Sequence, residues 1–252
     1  SFLLQNDEGD IVVDLGSGLR IIDAALRSGV TRDEALVLMT HYHLDHLIGL
    51  PSFSRIHDPM MKIVACGASV GKSSVRDALS ALLASPFWPL QMESLAAALE
   101  FRGLEAVSDE PLDYAGFKVR WCQMSHPGRS TVYRIDDKAS NKSVVIATDV
   151  EWNLTSRSDR AVFLEMCAEP WPPDVLVFDG QYAAETYPAH RGWGHSTWEE
   201  AAEVARRIGA ERLLVTHHDP TAQDQALDDI EKKLPALLPG ARLARQGMDV
   251  TL

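Results

Sequence analysis

The sequence predicts an α/β protein, and three observations carry that prediction. The run Ala35-Leu36-Val37-Leu38-Met39 reads as a buried strand that delivers a cluster of histidines and an aspartate to its end. The first and last thirds of the chain repeat a strand-then-helix rhythm, whereas residues 117–149 give three β-rich runs joined by turn residues, which is a meander. In layered α/β proteins functional sites lie at strand ends. The chemistry-bearing residues of this chain fall at such ends.

In order, Ile11-Val12-Val13-Asp14-Leu15-Gly16 is a strand closing on Asp14, and Leu19, Ile22, Ala25 and Leu26 then recur at helical spacing up to a stop at Gly29. After the strand at 35–39 comes Thr40-His41-Tyr42-His43-Leu44-Asp45-His46. Imidazole and carboxylate suit zinc, iron and manganese, and no single ion needs all four of these side chains from one short loop. Two ions side by side are the economical explanation. Closed structural zinc sites draw mainly on cysteine, so the cluster points to catalysis.

Strand Met61 to Cys66 runs into Gly67-Ala68-Ser69-Val70-Gly71-Lys72-Ser73, which invites comparison with a phosphate-binding P-loop. The spacing rejects it, because Cys66 stands where the first glycine is required. The segment reads instead as a strand-to-helix turn capped by Ser69 or Ser73. From Val75 to Glu100 the pattern is helix, break, helix. The break, Ser85-Pro86-Phe87-Trp88-Pro89, is a stiff apolar corner, either a core plug or a wall on which Phe87 or Trp88 could stack a nucleobase.

The meander strands run 117–124, 130–136 and 143–148, with His126 at the first turn and Asp149 at the end of the third. Asp174 to Gly180 is a further strand. His195 stands just before a helix whose capping box is Ser196 with Glu199 or Thr197 with Glu200, and whose apolar face is Ala201, Val204, Ala205 and Ile208, up to Gly209. Free N–H groups at that helix start favour an anion. Strand Arg212 to Thr216 ends in His217 and His218, and a closing helix carries Lys232 and Lys233.

A chain of 252 residues with 46% hydrophobic content can bury a sizeable core. Cys66, Cys122 and Cys167 are odd in number and widely spaced, so buried reduced thiols are expected rather than disulfides or a thiolate metal site. No run is apolar enough to span a membrane, which fits a cytoplasmic protein. With 24 basic against 36 acidic residues the formal charge is −12, which opposes non-specific attraction to a nucleic-acid backbone.

The pattern His-x-His-x-Asp-His after a hydrophobic strand, with His126, Asp149 and His217 following in order, resembles the metallo-β-lactamase fold hydrolases over nearly the whole chain. That resemblance implies a four-layer αββα sandwich, a single hydrolase domain over residues 1–252 that lacks a short N-terminal piece. It implies one metal on His41, His43 and His126, a second on Asp45, His46 and His217, and Asp149 bridging both. The cofactors would be two divalent ions, zinc first, with manganese or iron also suited. His217 is preferred to His218 because it directly follows its strand. Asp14 would lie behind the site holding a ligand histidine, and Asp179, Asp219, Glu185 and His190 are further candidates for supporting roles.

Gly194-His195-Ser196-Thr197 resembles the phosphodiesterase branch of that family, which includes ribonuclease Z and cyclic-nucleotide phosphodiesterases. The branch implies hydrolysis of a phosphodiester by a metal-bridging hydroxide, with His195 as general acid and Asp45 as the second catalytic residue. A cyclic nucleotide or another small phosphodiester is the expected substrate, and a homodimer the expected assembly. A nucleic-acid polymer is disfavoured by the acidic balance and by the lack of an obvious basic, Gly/Pro-rich insertion to clamp a tRNA. The alternatives are a tRNA 3′-processing endonuclease, a lactone or thioester hydrolase on the same metals, a di-iron redox protein, and a binding protein that has lost its metals.

Overall fold

The computed structural model describes residues 1–29, 32–108 and 110–252. The chain forms two compact units, one of residues 1–106 with 113–116, the other of residues 107–112 with 117–252.

The first unit is built on a five-stranded sheet, β1 (Phe2–Gln5), β2 (Asp10–Val13), β3 (Glu34–Met39), β4 (Lys62–Ala68) and β5 (Ala98–Leu104), in that spatial order. β1 and β2 are antiparallel and the remaining pairs are parallel. β3 is buried along all but its first residue, as expected of a strand inside a parallel sheet. Ala35, Val37 and Met39 of β3 pack with Leu19, Ile22 and Leu26 of α1 (Leu19–Ser28) and with Val75 and Leu79 of α2 (Val75–Leu82). α2 starts on a capping box between Ser74 and Asp77, one residue beyond the expected Ser73.

A second correction lies at β5. Residues 95–100, read as the end of a second helix, lead into a strand paired along its length with β4. Leu95-Ala96-Ala97-Ala98-Leu99-Glu100 is rich in helix formers, but the parallel register overrides that propensity. It packs Leu99 and Phe101 on the core and sets Glu100 beside Lys62 of β4, at 3.3 Å.

The other sheet has seven strands, of which the six from residue 117 onward belong to the second unit. In chain order its strands are β6 (Leu112–Tyr114), β7 (Phe117–Met124), β8 (Ser130–Asp137), β9 (Lys142–Ala147), β10 (Val175–Asp179), β11 (Arg212–Thr216) and β12 (Ala241–Leu243), which is also their order across the sheet. The expected meander is β7–β8–β9, antiparallel throughout, and β9 to β12 are parallel. α3 (Arg157–Ala168), α4 (Trp198–Ile208) and α5 (Asp224–Leu237) supply helical partners, and Trp152, Phe163 and Phe178 meet edge to face with centroids 5.8–6.5 Å apart.

Helix α3 and strand β1 were not anticipated. α3 is capped by Ser156 and buries Phe163, Met166 and Cys167, while charged residues interrupt its face. Arg134 of β8 is fully buried, bound to Asp136 at 2.8 Å and donating to the Cys167 carbonyl at 2.6 Å, so it satisfies the C-terminal turn of α3. All three cysteines are free and buried, and burial pushes the Cys66 and Cys122 thiols up to about 11 and about 12. Among the described residues no helix is long and apolar enough to cross a membrane. Each unit is thus a sheet with its own helices, the mixed α/β class that the sequence predicts.

Candidate active site

In the first unit the site residues come from the ends of β2 and β3. His41 is buried and its ring lies 4.5 Å from that of His43 and 4.2 Å from that of His46, centroid to centroid. Residues Leu44–His46 form a 3₁₀ turn, which turns Asp45 and His46 away from the extended His43 and brings Asp45 Oδ2 to 3.3 Å from His46 Nε2. Behind them Asp14 accepts from Thr40 N and Thr40 Oγ1, both at 2.8 Å, and lies 2.7 Å from His46 Nδ1. Burial works against the Asp14 carboxylate, but His46, with its hydrogen bond, then His41 and the Thr40 N–H hold its pKa below the usual range. The loop after Asp14 runs hard against the turn: a Cβ on Gly16 would stand 2.3 Å from the Asp45 carbonyl oxygen.

In the second unit four separate stretches contribute. His126 follows β7, Asp149 follows β9, His195 precedes α4 and His217 follows β11. The His195 ring stacks on that of His217 at 4.6 Å and meets the His126 ring edge to face at 5.2 Å, and His217 Nδ1 is 3.3 Å from Asp149 Oδ2. His126, Asp149 and His195 each offer one donor atom, all within 4.8 Å of one another. His195 Nδ1 is 2.7 Å from Asp179, the fully buried last residue of β10, which also accepts from the N–H groups of Ser196 and Gln181. Thr197, not Ser196, makes the capping box with Glu200. Ser196 Oγ instead donates to the Val150 carbonyl and accepts from Trp152 N.

Three of these strand-end residues share a backbone feature. Asp14, Asp149 and His217 have φ of 61°, 56° and 59°, the left-handed region that side-chain-bearing residues rarely occupy. Such conformations concentrate at functional sites, where surrounding structure holds them in place.

Other candidates lie elsewhere. His218 Nε2 is 3.0 Å from the Ala244 carbonyl and serves the β12 side. Asp219 accepts from Thr221 N and Oγ1 in a local turn, and Glu185 is exposed. His190 stacks on Tyr182 at 4.3 Å. Phe87 of the Pro86–Pro89 corner is exposed, while Trp88 packs on the core of the first unit.

One buried carboxylate was missed. Glu151 accepts from Gly192 N at 2.7 Å, Tyr187 OH at 2.7 Å and Gly194 N at 2.8 Å, and so pins the loop that leads to His195. The Gly194 carbonyl in turn faces His126 Nδ1 at 2.8 Å. With φ of 97°, and a notional Cβ 2.2 Å from that same nitrogen, position 194 admits only glycine. The signal in the sequence was slight: Glu151 lies two residues after Asp149.

The donors fit a divalent cation. In His46 and His126 the Nδ1 atom is engaged by Asp14 and the Gly194 carbonyl, the arrangement that fixes a ligand imidazole and presents its Nε2, and Asp179 holds the His195 ring through Nδ1 in the same manner. Imidazole and carboxylate together suit zinc, manganese or iron.

A family model described as a beta-lactamase superfamily domain matches residues 11–218. The chain belongs to the beta-lactamase superfamily. As a member it is a metal-dependent hydrolase, and the two sheets with their helices are the elements of the metallo-β-lactamase sandwich. Ribonuclease Z of Methanopyrus kandleri is 23% identical over 251 residues, covering 95% of this chain and 86% of the relative. Among solved structures, the metallo-beta-lactamase fold protein YhfI from Bacillus subtilis has a TM-score of 0.68 at 20% identity, covering 98% of this chain and 88% of that one. Human tRNase Z, short form, has a TM-score of 0.65 at 17% identity, covering 99% and 90%.

These relatives correct one expectation from the sequence, that a nucleic-acid polymer is disfavoured as a partner. A superfamily member matched along 95% of this chain is itself named a ribonuclease. The physical reason is that a formal charge of −12 sums the whole chain. Beyond about 8 Å surface charges are screened at physiological salt, and the charge of bound cations, which dominates the potential at a metal site, is absent from that sum.

Proposed function

We propose that this protein is a dinuclear metal-dependent phosphodiesterase that cuts RNA, of the kind that processes tRNA 3′ ends. The observation that carries the reading is His195, held on buried Asp179 and stacked on His217 beside His126 and Asp149. The ribonuclease Z relative, alignable over nearly the full chain, supports RNA as the polymer. The cyclic-nucleotide expectation draws no comparable support, and the RNA alternative replaces it.

The ligand assignment we propose is His41, His43 and His126 for one ion and Asp45, His46 and His217 for the other, with Asp149 shared. Zinc is the first candidate. Two divalent ions, when bound, lower the pKa of water and stabilise charge on a phosphoryl group. The chain's own residues do the rest. Asp14 and the Gly194 carbonyl fix the rings of His46 and His126. Asp179 orients His195 through Nδ1, so its Nε2 carries the proton to the leaving ribose oxygen, whose high pKa makes a general acid useful. The N–H groups expected to stand free at the start of α4 are instead taken by Asp179, Glu200, the Tyr182 carbonyl and Thr197, so they fix the backbone beside His195 and offer no anion site.

The test is cleavage of a 3′-extended tRNA transcript by zinc- or manganese-loaded protein. A cut at the 3′ end of the tRNA body is expected, with the rate falling by about 10²–10⁴ in His195→Ala, the range for a lost general acid. If neither loaded form cuts the transcript while lactones or thioesters turn over, the reading is wrong.

A further inference from the structure

Trp193 is 62% exposed, an unusual position for an indole in a loop whose backbone is so firmly tied down. Its neighbours Gly192 and Gly194 have φ of 90° and 97°, and both donate their N–H groups to the Glu151 carboxylate. Trp193 N donates to the His190 carbonyl at 3.0 Å. On its inner side the indole meets the His190 ring at 5.0 Å, edge to face; His190 stacks on Tyr182 at 4.3 Å; and Tyr182 meets the His195 ring at 6.2 Å. A ladder of ring contacts therefore runs from the proposed general acid out to a solvent-facing aromatic.

Leaving that indole in water forgoes the burial that stabilises most tryptophans, and the anchored loop removes the conformational cost of presenting it. A rigid exposed aromatic is the feature with which proteins hold single-stranded nucleic acid, because every base has a π face. Arg191, exposed in the same loop, adds a positive charge where a backbone phosphate would pass.

We propose that Trp193 is a base-stacking platform, taking the nucleobase of a nucleotide close to the scissile phosphate of the RNA substrate. This rests on the RNA-cleaving function proposed above. The platform is indifferent to base identity, since stacking needs no hydrogen-bonded edge, and Glu151 acts as a positioning residue for it.

The experiment compares wild type, Trp193→Ala and Trp193→Phe in two measurements. The first is the KM for the 3′-extended tRNA transcript. Trp193→Ala should raise it about tenfold or more, which corresponds to ~1.4 kcal/mol, and Trp193→Phe should recover most of that loss. The second is tryptophan fluorescence of metal-loaded protein titrated with a short oligoadenylate. Wild type should be quenched, and Trp193→Phe should lack that component of the quench. A Trp193→Ala KM within twofold of wild type overturns the platform while leaving RNA cleavage standing. If wild type does not cut RNA at all, the function is wrong and the placement beside a scissile phosphate falls with it; a quench unchanged in Trp193→Phe, or absent from wild type, overturns base stacking itself.

Discussion

The two units arrange their candidate donors in opposite ways. In the first, His41, His43, Asp45 and His46 come from one stretch of six residues and one carboxylate, Asp14, stands behind them. In the second, His126, Asp149, His195 and His217 come from four stretches spread over 92 positions and are tied together by Asp179, the Gly194 carbonyl and Glu151. Local sequence suffices to build the first set. The second set exists only because β7, β9 and β11 lie in one sheet and α4 packs on it, so its precision depends on the fold.

Five variants probe that contrast. The largest effect is expected from His195→Ala, which should lower kcat/KM on the tRNA transcript by about 10²–10⁴ while zinc content per chain, read by mass spectrometry of metals, stays at the wild-type value. Loss of zinc in that variant would make His195 a ligand and remove the distinction between holding metal and moving a proton. Next, Asp14→Ala should weaken zinc binding by about 10- to 100-fold in competition with a chromogenic chelator, the usual cost of losing a ligand's outer partner. Asp179→Ala should instead depress kcat with little change in zinc affinity, because Asp179 holds His195 and no proposed ligand.

A smaller effect, about 2 kcal/mol of stability by urea unfolding, is expected from Glu151→Gln, which replaces a charged acceptor of three hydrogen bonds, two of them buried, by a neutral amide. No shift in the urea midpoint would show that the loop is held by other means. The smallest is Thr197→Ala, at about 1 kcal/mol for a lost helix cap.

The same contrast governs what the sequence made legible. The cluster at 41–46 announced itself through density, and the strands at 11–13, 35–39, 117–124 and 212–216 through apolar runs. Asp179 was a candidate with no assignable partner, since the pairing with His195 spans 16 residues and depends on where β10 stops. Glu151 was invisible because a carboxylate that binds backbone N–H groups leaves no pattern in side-chain types. The strand at 98–104 was misread because helix propensity is local whereas its partner, β4, lies more than 30 residues away in sequence. α3 was overlooked because Arg160 stands one turn before Phe163 and shortens its apolar stripe. The charge argument against nucleic acid failed because it was made on a sum over the chain and not on the site.

The left-handed backbone at Asp14, Asp149 and His217 bears on how such a chain would drift over generations. A β-branched residue at any of the three would clash with its own main chain, whatever chemistry the protein performs. Were a lineage to abandon its metals, selection on the donors would cease but the steric demand of these three corners would persist. Asparagine, aspartate and glycine would be retained there long after valine or isoleucine had become acceptable at His43 or Asp45. The geometry would then outlive the activity, and a retired enzyme of this family would still be recognisable by its corners when its ligands were gone.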